Sequence, residues 1–142
     1  MDSSTGLPDS PSKGSGSRSS ILVVDEEDSI RTLICGFLES EGYEIVLSSN
    51  GSDALRFALT SPHRFDLLLT DIQMPGISGI ELAQRLLQKW PGLPILLISG
   101  VMDVREAREQ LSASGPFHFL AKPFDLSQLR QSVATALCSS RC

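Results

Sequence analysis

From Ile21 onward, short apolar runs alternate with segments in which apolar residues recur every three or four positions. That alternation predicts strands and helices taken in turn, the pattern of an α/β domain built on a parallel sheet. Residues 21–25 predict a first strand, followed by a helix with Ile30, Leu33, Ile34, Phe37 and Leu38 on one face, stopped by Glu41 and Gly42. Residues 43–47 predict a second strand; Asn50 is then a good N-cap for a helix burying Ala54, Leu55, Ala58 and Leu59, closed at Ser61-Pro62. The run at 66–70 is apolar throughout after Asp66, as expected of a central strand covered on both faces. Pro75-Gly76 turns the chain, and Ser78 with Glu81 forms a capping box for a helix carrying Ile80, Ala83, Leu87 and Trp90 inward, ended by Pro91-Gly92. A fourth apolar strand, 94–99, precedes a weaker and more charged helix marked by Val104, Ala107 and Leu111. The last pair is a strand at 117–121 and a helix using Leu126, Leu129, Val133 and Leu137, capped by Asp125 with Gln128.

The polar residues that end these runs carry the chemistry. Asp25 and Glu26 end the first strand, Asp71 the third, Ser99 the fourth, and Lys122 follows the fifth. In an open α/β sheet, ligands bind outside the carboxyl ends of the strands where the winding direction switches, so these side chains are expected in one crevice. Each has a plain structural reading by itself: acids at a helix start, an Asp before a Pro turn, a strand-end Ser, a solvated Lys. Together, each ending a different buried strand, they point to a site. Close carboxylates repel one another and gain protons unless a cation neutralises them. Magnesium suits this donor set, because it takes oxygen ligands, keeps several waters, and favours one or two carboxylates plus a substrate phosphate. A phosphoryl group held between that ion and the Lys122 ammonium could be attacked in line by a carboxylate oxygen of Asp71, with Ser99 donating to a phosphoryl oxygen.

Composition narrows the alternatives. The chain has 142 residues, 41% of them hydrophobic, enough for one core. Residues 1–20 are Ser-, Gly- and Pro-rich and read as a disordered leader or linker, leaving 21–139 as the folded domain. No apolar run is long enough to span a bilayer and the N-terminus lacks the layout of a secretory signal, so a cytoplasmic protein without membrane insertion is expected. The net charge of -5 belongs to the folded part and argues against direct nucleic-acid binding. Cys35, Cys138 and Cys142 lack the spacing of a zinc site or a disulfide framework and read as free thiols.

The motifs resemble the receiver domain of two-component response regulators. Ile-Leu-Val-Val-Asp-Glu-Glu-Asp (21–28) resembles that family's acidic motif, Leu-Leu-Thr-Asp-Ile-Gln-Met-Pro-Gly (68–76) its acceptor loop, Leu-Leu-Ile-Ser-Gly (96–100) its switch strand, and Phe-Leu-Ala-Lys-Pro-Phe (119–124) its closing signature. The resemblance runs from Ile21 to about Leu137. It implies a flavodoxin-like doubly wound five-stranded parallel sheet of order 2-1-3-4-5 with five helices. It further implies a phosphoprotein of a phosphorelay: Asp71 as acceptor of a phosphoryl group from a histidine kinase or histidine phosphotransfer protein, and Mg²⁺ (or Mn²⁺) bound by Asp25, Glu26, Asp71 and the backbone carbonyl of Gln73. Ser99 is similar to the switch hydroxyl, Phe119 to the rotating aromatic, and Lys122 to the phosphate-pairing lysine; the bond before Pro123 is implied to be cis. Gln73 and Val101 stand where receivers tune phosphorylation and hydrolysis rates. Glu26 replaces the commoner second Asp, and Gly100 stands where Ala is usual.

The implied output is a surface made by the fourth helix, the fifth strand and the fifth helix, which also serves as a homodimer face in this reading. Such a domain catalyses only its own phosphorylation and dephosphorylation. An aspartyl-phosphate hydrolase is disfavoured because Gln73 stands where its second acid is needed, and a flavodoxin because carboxylates line the first loop. A degenerate docking receiver is disfavoured by the intact acceptor, acids and lysine. No effector segment follows the last helix, leaving a stand-alone receiver or the receiver of a hybrid histidine kinase as the two expected layouts.

Overall fold

The computed structural model describes residues 19–61, 64–100, 105, 109 and 117–141. The elements run β1 (Ser20–Val24), α1 (Asp28–Ser40), β2 (Glu44–Ser48), α2 (Gly51–Thr60), β3 (Leu67–Asp71), α3 (Gly79–Lys89), β4 (Ile95–Ser99), β5 (His118–Ala121) and α4 (Leu126–Arg141). All neighbouring strands are parallel, in the order β2-β1-β3-β4-β5, which is the 2-1-3-4-5 arrangement expected. The helix expected around Val104, Ala107 and Leu111, the rate-tuning position Val101, and the leader up to residue 18 lie outside the described residues. What is here α4 is the fifth helix of the sequence reading.

Strand alternation divides the core in two. Leu22, Val24, Leu68, Ile95 and Leu97 point to one face and pack with Ala54, Ala58, Ala83 and Leu86 of α2 and α3. Their strand neighbours Ile21, Val23, Leu67, Leu69, Leu96 and Ile98 point to the other face, against Ile34 and Leu38 of α1 and Leu129, Val133 and Leu137 of α4. β3 and β4 are therefore covered on both sides and buried at every residue, whereas the edge strand β2 is not. Each large aliphatic side chain so removed from water contributes about 1.5–3 kcal/mol.

Local signals operate as read. Asn50 accepts from the Asp53 amide at 2.8 Å, Ser78 accepts from the Glu81 amide at 3.2 Å, and Asp125 and Gln128 exchange reciprocal bonds of 2.9 and 2.8 Å. α1 closes at Gly42, whose φ of 99° permits the Gly42 amide to reach the Glu39 carbonyl and the Tyr43 amide the Leu38 carbonyl. Four helical faces differ from expectation. Leu33, Leu59 and Leu126 are exposed, and in α3 Leu82 and Leu86 are core residues while Leu87 and Trp90 only flank it. A helix on a sheet buries a narrow stripe, and residues about 100° away from its centre line reach the margin instead.

Candidate functional site

Asp71 is the last residue of β3 rather than the first beyond it. It pairs in register with Ile98 of β4, and the next amide, of Ile72, donates to the Ile98 carbonyl at 3.0 Å. The acceptor carboxylate is thus mounted on a strand held in a ladder, then released into the turn at Pro75 and Gly76, where the glycine takes a φ of 80°. Gly79 returns that turn to the strand: its amide donates to the Ile72 carbonyl at 2.8 Å, and a Cβ there would stand 2.1 Å from the Asp71 carbonyl oxygen.

Lys122 follows β5, with its backbone amide bonded to the Ser99 carbonyl at 2.9 Å and its ammonium 3.0 Å from Asp71 Oδ2. The peptide between Lys122 and Pro123 is cis, as the resemblance implies. Asp71 Oδ1 accepts from the Gln73 amide at 3.4 Å. Asp25 follows β1 and is 1% exposed. Its Oδ1 accepts from the Glu27 amide at 2.8 Å, while Oδ2 is buried without a hydrogen-bond partner. Burial, and then the charges of Asp71 and Glu27, raise the Asp25 pKa against the opposing effects of the Glu27 amide and Lys122. Ser99 ends β4, 1% exposed, and its hydroxyl too is buried without a partner.

Asp25, Asp71 and Lys122 therefore act on one another electrostatically, with Ser99 on the adjacent strand end. Glu26 and Gln73 are not buried with them. Both are exposed at the rim of the site and line a neighbouring cleft of about 500 Å³ with Ile72, Met74, Pro75, Ser78 and Ile80. Among the described residues, no group of three or more His, Cys, Asp and Glu side chains is arranged to hold a metal. The donors do fit a hydrated dication, because magnesium needs only one or two carboxylates beside its waters and Asp25 Oδ2 is a buried acceptor with nothing to accept from. Phe119 lies mid-β5, half-buried against the α2/α3 side of the core.

Sequence reasoning passed over Glu27, whose charge acts on both Asp25 and Lys122, Arg31, which bonds the Asp25 carbonyl, and Gly79. Glycine after the Pro-Gly turn was the visible signal for the last; nothing in the order of residues marks the other two.

Residues 21–134 match the response regulator receiver domain family model, and the chain belongs to that family. It is 38% identical over 121 residues to the response regulator protein PilR of Pseudomonas aeruginosa, covering 85% of this chain and 26% of that protein. The chain spans about a quarter of the length of the curated relatives it matches. Among solved structures, the chemotaxis response regulator CheY4 of Vibrio cholerae superposes with a TM-score of 0.74 at 28% identity, over 84% of this chain and 99% of that one. The response regulator TrrA of Thermotoga maritima, in complex with Mg(2+)-BeF, does so with a TM-score of 0.69 at 34% identity, over 83% and 98%. The protein is thus a two-component receiver, a signalling domain with the flavodoxin-like fold. Among the described residues, no helix is long and apolar enough to cross a membrane.

Proposed function

We propose that this domain, taken as residues 21–139, accepts a phosphoryl group on Asp71 from a histidine kinase or histidine phosphotransfer protein in the cytoplasm. The observation that carries the reading is the 3.0 Å contact between Lys122 Nζ and Asp71 Oδ2, beside an Asp25 carboxylate with one unsatisfied oxygen. A carboxylate oxygen of Asp71 attacks phosphorus, forming an O–P bond as the donor's P–N bond breaks and the imidazole leaves. Asp25, Glu26, Asp71 and the Gln73 carbonyl are the residues that would hold Mg²⁺, or Mn²⁺ in its place, which when bound neutralises charge on the transferring group. Lys122 moves its ammonium from the carboxylate to a phosphoryl oxygen, and Ser99 turns its unpartnered hydroxyl to another. Gln73 and Val101, flanking the site in sequence, tune the rates.

The acyl phosphate adds about 1.5–2 negative charges at this rim. Drawing Ser99 and Lys122 toward it lets Phe119 turn inward. The surface that changes includes β5 and α4, where Phe117, His118, Phe119, Gln128 and Thr135 line a cleft; it is the face proposed for the downstream effector or a second copy of the chain. A nearly complete shift between the two surfaces needs roughly 5 kcal/mol of differential binding.

The test is incubation with a small acyl phosphate and Mg²⁺, followed by mass spectrometry. The expected adduct is acid-stable, base-labile, dependent on the metal, and absent in Asp71→Asn. An adduct that persists in Asp71→Asn overturns the assignment, and failure to label with any donor favours a receiver that only docks.

A further inference from the structure

Arg31 lies at the start of α1 with its guanidinium folded back on the turn that follows β1, its side chain only 16% exposed. One terminal nitrogen donates to the backbone carbonyl of Asp25 at 2.6 Å, and the other pairs with Asp28. We infer that Arg31 is a positioning residue: by gripping the peptide that joins Asp25 to Glu26, it sets where the two acids of the turn stand relative to Asp71.

The turn needs holding. Asp25 is buried, one of its oxygens has no partner, and Asp71 carries a like charge close enough to act on it. Desolvation and repulsion both favour swinging the Asp25 carboxylate out into water. Opposing this are the Asp25 amide bond to the Ser48 carbonyl at 3.2 Å, the Glu27 amide bond to Asp25 Oδ1 and the Arg31 bond. The first ties the turn to β2 and the second is internal to the turn; the third ties it to the body of α1. The Arg31 contact is to the Asp25 carbonyl and not to its carboxylate, so Arg31 works through the main chain.

The i,i+3 pair with Asp28 is what the helix itself gains from this cation. α1 begins at Asp28, and a positive group next to its first turn opposes the helix dipole. The Asp28 partner offsets that charge through one terminal nitrogen, leaving the other for the Asp25 carbonyl. A planar fork can bridge two acceptors in this way; a lysine ammonium on a flexible stem cannot hold the same geometry.

The consequence for metal binding rests on the phosphoryl-acceptor reading, whereas the clamp itself is tested without metal. In Arg31→Lys and Arg31→Gln, hydrogen exchange of the Glu27 amide in metal-free protein should accelerate about tenfold, with the interior of α1 unchanged. In a Mg²⁺ titration read by the Asp71 and Gln73 amide shifts, the half-point should rise about tenfold in both variants. Unchanged Glu27 exchange overturns the inference, as does acceleration spread evenly through α1, which would mean a merely structural role, or full rescue by Lys. An unresponsive parent in the titration would sink the acceptor reading, while the exchange result still decides the clamp.

Discussion

The Lys122 ammonium stands 3.0 Å from Asp71 Oδ2, a contact made across 51 residues of chain. Both partners are anchored to neighbouring ladders, Asp71 through Ile98 and Lys122 through the Ser99 carbonyl. Burial lowers the Lys122 pKa, but the hydrogen bond and charge of Asp71, with the charges of Asp25 and Glu27, outweigh it and leave the pKa raised. A raised lysine pKa contributes stability that is present below the ordinary value of 10.5 and lost as pH rises through the folded value. The pair is partly open to water, so Lys122→Ala should cost no more than about 1 kcal/mol in chemical denaturation at neutral pH. The variant should still take up phosphate, with a weakened chemical-shift response around Phe119. Identical responses in variant and parent would remove Lys122 from signal transmission.

Asp25 follows the same sign in a lower pH window, so at neutral pH its ionised form is a cost rather than a gain. Its raised pKa means the native state binds the proton more tightly than the unfolded chain, so stability falls as pH rises from 3.8 through the folded value. Asp25→Asn should therefore raise the Tm of the metal-free protein at neutral pH. The gain should shrink toward pH 3.8 and on adding Mg²⁺ to both proteins. Thermal scans across pH check the sign: a lower Tm at neutral pH would contradict it.

Ser99 buries a hydroxyl without a partner, and removing an unsatisfied group is neutral or favourable. Ser99→Ala should leave the unphosphorylated protein as stable as the parent or up to about 1 kcal/mol more so, by urea denaturation. The loss should show instead in the phosphorylated form, as smaller shift changes in the residues after β4.

Gly79 is tolerated only without a side chain. An added Cβ would fall 2.1 Å from the Asp71 carbonyl, so Gly79→Ala must push α3 away from the acceptor strand at a cost of about 1–3 kcal/mol. The predicted signature is coupled: reduced stability together with slower labelling of Asp71. Gly36, whose Cβ would meet nothing within 4 Å, is the control, and Gly36→Ala should leave labelling unchanged.

What the residue order determined by itself is local and periodic. Alternation of apolar runs specified strands and helices, because a period of two or of 3.6 follows from backbone geometry alone. Capping residues at Asn50, Ser78 and Asp125 marked the starts of three helices, because their partners lie three residues away. Asp71, Lys122, Asp25 and Ser99 were legible as candidates because each ends an apolar run. Tertiary structure decided the rest. Which aliphatics reach the core depended on the stripe each helix presents to the sheet, leaving Leu33 and Leu126 exposed while burying Leu82 and Leu86. The turn after β1 aimed Asp25 into the crevice and left Glu26 at the rim, and it brought Arg31 onto the Asp25 carbonyl. Parallel pairing placed Lys122 on Asp71. These relations link residues through the packing of separate elements, and no pattern along the chain encodes a distance between side chains that meet only once the sheet has formed.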